Sequence, residues 1–169
     1  PICENRENIE VVSLKAKAGY RNGYSDPEFI SHLPVFQLPI LFNDRKYRMF
    51  EISGDSMLPI PDKSWVIGEY VENFYDIKDN HPYIVLTKDD GIVFKIAFNH
   101  LRKKKALLLK SLNAAYGPYE VNINEIKEVW KFCNYISHAI PDMKNEIVTK
   151  IERIEKEMKE IKTLAHDSL

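Results

Sequence analysis

The sequence predicts a mainly β domain followed by one long C-terminal α-helix, and three observations lead to this fold class. Between residues 34 and 137, short runs rich in Val, Ile, Phe and Tyr are separated by Asp, Asn, Gly and Pro, which is typical of strands and turns. After residue 140 the apolar spacing lengthens to about 3.5 residues, the period of a helix that packs along a narrow seam. The hydrophobic content of 44% is enough for a buried core in a chain of 169 residues.

The composition and charge exclude several classes of protein. The 24 basic and 25 acidic side chains give a net charge of −1, so the chain lacks the positive charge that phosphate binding needs. No apolar run approaches the ~18 residues of a membrane span, and no signal peptide begins the chain. Cys3, Cys133 and five scattered histidines form neither a disulfide framework nor a metal site. We therefore expect a cytoplasmic protein with reduced thiols, no membrane contact, no metal and no other cofactor.

Residues 1–33 are predicted to be a linker. The first ten residues are polar, and turn-forming residues dominate residues 21–29. Pro1 stands where an initiating Met is expected, which suggests that an upstream segment is missing. The β domain is placed at residues 34–138 and the helical tail at residues 139–169.

Two turns within the β domain connect predicted strands. Residues 88–91, Lys-Asp-Asp-Gly, favour a hairpin because Asp-Gly forms a tight corner. Residues 102–105 are a basic cluster, which we interpret as a solvated hairpin tip rather than a nucleic-acid contact. The predicted strands lie near residues 35–41, 47–53, 64–71, 82–87, 91–99, 106–112 and 128–136.

The tail predicts a helix from Pro141 to Ala165. Its apolar residues step alternately by four and three positions, and acidic residues precede basic ones by four positions. A helix that folds against its own domain also carries an apolar stripe, but this seam is narrow and the other faces are almost wholly charged. We therefore favour association with a partner helix. The seam consists of Ile147, Ile151, Ile154, Met158, Ile161 and Ala165.

Residues 50–59 contain a serine that we expect at the rim of the sheet. A strand ends near Gly54, so Ser56 is placed on the following turn, where its backbone N–H can face an incoming carbonyl. A serine is a weak nucleophile until a neighbouring base removes its proton. Lys95 is the candidate base, because it lies within the apolar strand at residues 91–98.

Alternation along that strand places Lys95 on one face with Val93 and Ala97. Burial among apolar side chains lowers the pKa of a lysine toward the range in which the neutral amine can act as a base. However, turn serines are commonly helix caps, and strand lysines commonly extend their amine to water. On these residues alone, a catalytic role and a structural role both stay open.

The segments ISGDSMLP and IVFKIAF, which contain Ser56 and Lys95, resemble the LexA-type repressor peptidase family, which includes phage repressors and the UmuD mutagenesis protein. The resemblance covers roughly residues 11–137. It implies the curled β-sheets that LexA shares with signal peptidases, together with serine peptidase activity. It also implies Ser56 as nucleophile, Lys95 as general base, and the backbone N–H groups of Ser56 and Met57 as donors to the oxyanion.

The family cuts itself at a small-residue bond upstream of the serine, commonly Ala–Gly. Ala18-Gly19 matches this pattern 38 residues before Ser56. The resemblance implies that the segment from Val11 to Tyr20 docks in the cleft and presents the Ala18 carbonyl to Ser56. It further implies a homodimer, a RecA-type co-protease filament as a partner in an SOS-type response, and contact with DNA only through an N-terminal half absent from this chain.

Two positions depart from the family pattern, and alternatives remain. Asp62-Lys63-Ser64 replaces an acidic-Gly-Asp turn, and Ile96 replaces a basic residue after the lysine. We interpret the chain as the self-cleaving C-terminal domain of a LexA-like transcriptional regulator. The main alternative is a non-cleaving dimerisation or sensing module of a repressor, in which Ala18-Gly19 is only part of a linker. A signal peptidase is disfavoured because such enzymes usually carry a membrane anchor.

Overall fold

The computed structural model describes residues 9–41, 44–140, 151 and 154–158. In this part of the chain, nine strands form one sheet in the order β2-β1-β3-β4-β9-β5-β6-β7-β8. All neighbouring strands are antiparallel except β1 and β3, which are parallel. The prediction of a mainly β protein is therefore confirmed. The strands are β1 (Ile9–Val12), β2 (Val35–Phe36), β3 (Tyr47–Glu51), β4 (Trp65–Tyr70), β5 (His81–Thr87), β6 (Ile92–His100), β7 (Ala106–Lys110), β8 (Tyr119–Asn122) and β9 (Ile126–Ile136).

Three short α-helices accompany the sheet: α1 (Lys17–Gly23), α2 (Pro27–Ser31) and α3 (Leu101–Lys104). Helix α2 begins at a proline, and the Asp26 side chain accepts a hydrogen bond from the N–H of Glu28 at 3.0 Å. Both features favour a helix start, because they satisfy or remove otherwise unpaired N–H groups. Two 3₁₀-helices, Phe74–Asp76 and Ile123–Glu125, lie in the loops that follow β4 and β8.

The core of the β domain consists of three clusters of buried apolar side chains. The first lies under α1 and α2 and includes Tyr20, Phe50 and Trp130. The second lies on the other face of the central strands and includes Val85 and Leu109. The third, smaller cluster lies around β1 and β3. Because both faces of the central sheet are covered, the central strands have continuous apolar runs instead of alternating ones.

The pairing of β4 with β9 is interrupted by a bulge on β9, because Ile67 pairs with Asn134 and Gly68 pairs with Phe132, which leaves Cys133 as the extra residue. At this point Gly68 packs closely on β9. A Cβ atom at Gly68 would lie 2.6 Å from Cβ of Trp130 and 2.9 Å from Cδ1 of Ile84. Trp130 is fully buried, so it has little room to yield. A side chain at this position therefore requires the two strands to move apart.

We predict that Gly68→Ala destabilises the protein by about 1–3 kcal/mol, because added volume in a close-packed core forces backbone shifts. The measurement is the free energy of unfolding in urea. Gly117→Ala is the matched control, because a Cβ atom there meets no atom within 4 Å. Equal stability of the two variants would show that the β4–β9 contact adapts at no cost.

The N-terminal segment differs from the expected linker. Its described part contributes β1, α1 and α2, and Val12, Tyr20 and Leu33 are buried in the first cluster. The turn-forming residues at 21–29 thus connect two helices that pack on the sheet. Strand β1 was not predicted, because its partners β2 and β3 are distant in sequence and its polar residue Glu10 interrupts the apolar run.

Some predicted strand boundaries are also corrected. The strand expected at residues 35–41 is limited to Val35–Phe36, since Pro39 has no N–H to donate to a neighbouring strand. Strand β8 was not predicted. The basic cluster at residues 102–105 is solvent-exposed but forms the helical turn α3, which Lys105 ends in a left-handed conformation with φ of 57°.

The chain divides into two compact units, Pro1–Ala139 and Ile140–Leu169. In the second unit, residue 151 and residues 154–158 are helical and exposed. Most of the helix predicted from Pro141 to Ala165 lies outside the described residues, so that helix and its partner seam stay a prediction. No helix in the described ranges is long and apolar enough to cross a membrane.

Candidate active site

The chain turns beyond strand β3 and places Ser56 at the mouth of a cleft. Gly54 has a φ of 91°, in the left-handed region that favours glycine. Its N–H donates to Oδ1 of Asp62 at 2.7 Å, which joins the two ends of the turn. Ser56 is half-buried within this turn, so its hydroxyl has a fixed environment and remains reachable.

The loop after β7 supports the serine turn from behind. The N–H of Asn113 donates to the carbonyl of Ser56 at 3.0 Å, and its Nδ2 donates to the carbonyl of Asp55 at 3.2 Å. The Tyr116 hydroxyl donates to the Asp55 carboxylate. In a trans peptide the C=O and N–H point in opposite directions. Because Asn113 holds these two carbonyls, the N–H groups of Ser56 and Met57 point away from the supporting loop.

Lys95 contacts the serine directly from strand β6. Its Nζ donates a hydrogen bond to Oγ of Ser56 at 2.7 Å, and the side chain is only 8% exposed. Burial lowers the pKa of Lys95, because the ammonium loses its hydration. The amine also lies 6.0 Å from the ring centre of Tyr116. The buried amine and the hydroxyl form the pair that a serine–lysine mechanism requires.

A cleft of about 540 Å³ opens in front of this pair. Lys17, at the start of α1, reaches its wall, and burial lowers the pKa of its amine while Glu51 opposes the shift. Across the described ranges, no group of three His, Cys, Asp or Glu residues could hold a metal ion. The lining consists of Lys17, Ile52, Ser53, Gly54, Asp55, Ser56, Met57, Asp90, Ile92, Val93, Phe94, Lys95, Tyr116 and Tyr119.

The predicted cleavage site does not lie in this cleft in the extended form that was expected. Ala18 and Gly19 are within helix α1, where the N–H of Tyr20 donates to the carbonyl of Ala16 at 2.8 Å. A Cβ atom on Gly19 would lie 3.0 Å from the ring of Phe29, so α1 packs closely on the start of α2. The structure therefore brings Ser56 and Lys95 together but keeps the Ala18–Gly19 bond helical.

Helix α1 is anchored to the sheet through Tyr20, which is fully buried. Its hydroxyl donates to Oε2 of Glu128 and accepts a hydrogen bond from Nη1 of Arg48 at 2.6 Å. Nε1 of Trp130 donates to the same Glu128 oxygen at 3.1 Å. Burial is the main cause that raises the pKa of Tyr20, so the phenol stays protonated and able to donate.

The two departures from the family pattern have a simple structural account. Lys63 has a φ of 60°, so it adopts the left-handed conformation that the expected glycine takes more readily. The turn is held by Asp62 on one side and by the Ser64 hydroxyl, which donates to the carbonyl of Pro61 at 2.7 Å. Ile96 packs against the first core cluster, on the face of β6 opposite to Lys95.

Sequence reasoning missed Asn113, Tyr116 and Lys17 as residues of the site. Asn113 and Tyr116 lie in a segment of turn-forming residues between β7 and β8, which has no local feature that points to Ser56. Lys17 resembled an ordinary solvated lysine. In each case, only the path of the chain through space brings the residue to the cleft.

One comparison with known proteins identifies the family. The family model described as Peptidase S24-like matches residues 10–131, which is most of the 169-residue chain. No curated protein matches the chain. The matched span contains Ser56, Lys95 and Ala18-Gly19, so the resemblance to the LexA, UmuD and phage-repressor peptidases is confirmed. The chain therefore belongs to the Peptidase S24-like family.

Proposed function

We propose that the chain is a self-cleaving serine peptidase in which Ser56 is the nucleophile and Lys95 is the general base. The observation that carries the proposal is the 2.7 Å hydrogen bond between Nζ of Lys95 and Oγ of Ser56. A lysine becomes a base when burial disfavours its charged form, and Lys95 is buried. Family membership adds support, since the family is generally one of serine peptidases.

The proposed reaction begins with neutral Lys95, which takes the proton of the Ser56 hydroxyl as Oγ attacks the carbonyl carbon of Ala18. The negative charge on the carbonyl oxygen is stabilised by the N–H groups of Ser56 and Met57, which point away from the supporting loop. Collapse of this intermediate breaks the bond to Gly19, and Lys95 returns the proton to the leaving amine. Water then hydrolyses the acyl group on Ser56, with Lys95 again accepting and returning a proton.

The cut requires helix α1 to open. The backbone of Ala18 and Gly19 is hydrogen-bonded within α1, so a peptide carbonyl there cannot enter the cleft without unwinding of the first turn. Lys17, the residue that precedes Ala18, lines the same cleft as Ser56, so the segment to be cut adjoins the wall of the cleft. The rate of cutting then depends on how often the open form is populated, because the tethered substrate needs no separate binding step.

In the cell, we place this peptidase in the C-terminal half of a cytoplasmic LexA-like transcriptional regulator. DNA would be bound by an N-terminal domain, and the part described here would support a homodimer. A RecA-type filament would act by favouring the open form of α1. The family match supports this context.

The second function is a dimerisation or sensing module that does not cut itself. The observation that favours it is the helical conformation of Ala18-Gly19, which Tyr20 anchors through Glu128 and Arg48. In that case the cleft and the serine–lysine pair would be retained without an accessible substrate. Whether α1 ever opens separates the two functions.

The deciding experiment is incubation of the full chain from about pH 7 to about pH 10, followed by intact-mass analysis under denaturing conditions. We expect two fragments that end and begin at Ala18 and Gly19, and a rate that rises with pH as Lys95 loses its proton. Ser56→Ala is the control and must remain whole. Fragments that also appear with Ser56→Ala would come from another protease and would remove the support for self-cleavage.

A further inference from the structure

A second cleft, separate from the serine, lies between the α1–α2 region and the sheet. Its volume is about 490 Å³, close to that of the first cleft. One wall comes from the loop after α1 and from α2, and the other comes from strands β1, β3, β4 and β9. The lining consists of Glu10, Tyr24, Ser25, Pro27, Ile30, Ser31, Lys46, Arg48, Tyr70, Lys127 and Glu128.

Arg48 lines this cleft with one nitrogen unpaired. The side chain is 0% exposed, Nε donates to Glu10 at 3.1 Å, and Nη1 donates to the Tyr20 hydroxyl at 2.6 Å. Within the described part of the chain, Nη2 has no hydrogen-bond acceptor. A buried donor without an acceptor is unfavourable, and an oxygen atom that enters the cleft and accepts its hydrogen bond removes this penalty.

The charges around Arg48 leave an excess of one positive unit in the cleft. Arg48, Lys46 and Lys127 are cationic, whereas Glu10 and Glu128 are anionic. Lys46 is exposed, and its amine lies 5.8 Å from the ring centre of Trp130, while Cζ of Arg48 lies 4.7 Å from the same centre. A ligand with one negative charge neutralises this excess. A dianion adds a second negative charge, which the carboxylates of Glu10 and Glu128 repel.

The remaining walls are apolar or weakly polar. Tyr24 and Tyr70 present aromatic rings, and Pro27 and Ile30 add aliphatic surface. Apolar walls with a few convergent polar groups are typical of sites for small organic molecules. Nη2 of Arg48 is screened from solvent, so an anion reaches it only when neighbouring side chains of the cleft move.

We propose that this cleft binds a small organic monocarboxylate with an apolar body. Its carboxylate accepts a hydrogen bond from Nη2 of Arg48 and pairs with Lys46, while its body packs against Tyr24 and Tyr70. The same ligand bridges the α1–α2 region and the sheet, so it holds α1 in place. This last consequence, slower self-cleavage, rests on the proposed function, whereas binding itself does not.

The test uses the full chain with Ser56→Ala, which keeps it whole, and with Trp65→Phe, so that Trp130 beside Arg48 is the only tryptophan. Sodium benzoate is the probe, benzamide is its neutral counterpart, and inorganic phosphate is the dianionic competitor. We expect a saturable change of Trp130 fluorescence with benzoate below about 10 mM, and none with benzamide. No saturable change with benzoate, or tighter binding of phosphate, would overturn the proposal.

Two variants locate the site. Arg48→Gln is expected to weaken benzoate binding at least about tenfold, because the variant loses one charge-assisted hydrogen bond to the carboxylate. Because Arg48 is buried and its replacement can disturb folding, the exposed Lys46→Gln is the second variant, with an expected loss of about threefold. Arg102→Gln, on the exposed helix α3, is the matched control. Benzoate binding that is unchanged in Lys46→Gln and in a folded Arg48→Gln would place the ligand elsewhere and reject this site.

Discussion

Lys95→Met is expected to abolish self-cleavage at every pH, with a rate at least about a thousandfold below that of the parent chain. The parent rate should rise about tenfold per pH unit and then level off once pH exceeds the pKa of Lys95 in the folded chain, because the neutral amine is the reactive form. Methionine has nearly the same length and fills the same apolar site, so the cleft keeps its shape. Intact-mass analysis over the pH series measures both rates.

The same variant has a defined effect on stability. Burial lowers the pKa of Lys95 from its usual 10.5, so between the folded pKa and 10.5 the unfolded chain binds the extra proton. The free energy of unfolding of the parent therefore rises with pH across that window through Lys95. The methionine side chain of the Lys95→Met variant does not titrate and makes no such contribution. As pH rises, the free energy of unfolding of the parent should therefore increase relative to that of the variant.

Urea unfolding of the two chains at several pH values measures this difference, with Ser56→Ala present in both to prevent cutting. A difference that does not vary with pH would mean that Lys95 has its ordinary pKa, and then burial would not explain its role as a base. Cutting by Lys95→Met at the parent rate would exclude Lys95 as the general base altogether.

Tyr20→Phe is expected to accelerate self-cleavage by about thirtyfold at a given pH. The change keeps the ring that packs edge-on against Phe50 but removes the hydroxyl between Glu128 and Arg48. Losing these buried hydrogen bonds weakens the anchor of α1 by about 2 kcal/mol, and each 1.4 kcal/mol is roughly tenfold in the population of the open form. The rate of fragment formation at one alkaline pH is the measurement.

Three controls separate opening of α1 from general unfolding in this experiment. Tyr135→Phe removes a hydroxyl from an exposed tyrosine and should cut at the parent rate. Tyr20→Phe combined with Ser56→Ala should not cut. Hydrogen exchange should speed up for the amides of α1 before those of the central strands. If Tyr20→Phe cuts no faster than Tyr135→Phe, opening of α1 does not limit the reaction.

The central strands were predictable from sequence because local patterns determine them. Strands β5 and β6 were predicted at residues 82–87 and 91–99, and no end differs from the structure by more than one residue, because apolar runs flank an Asp-Gly corner. Strand β1 and helices α1 and α2 were not predictable in the same way. Their stability comes from distant contacts, such as the buried hydroxyl of Tyr20 on Glu128, 108 residues away.

The site was predictable to a similar extent. Ser56 follows a strand and Lys95 lies within an apolar strand, so each has a local context, and the structure joins them at 2.7 Å. Their catalytic roles stay predictions. Asn113, which orients the serine turn, has no such context. The helical state of Ala18-Gly19 was missed because it depends on the anchor at Tyr20, whereas the dipeptide itself indicates only small size.

The position of β1 bears on what happens after a cut between Ala18 and Gly19. The short N-terminal product would still contain β1, which is hydrogen-bonded to β2 on one side and to β3 on the other. Its side chains Ile9 and Val12 are 1% and 0% exposed, so leaving the sheet would uncover them to water. After the cut, the two fragments would therefore remain associated through the pairing of β1 with β2 and β3. Any segment upstream of β1 would part from the domain only at the slower pace at which this strand peels away.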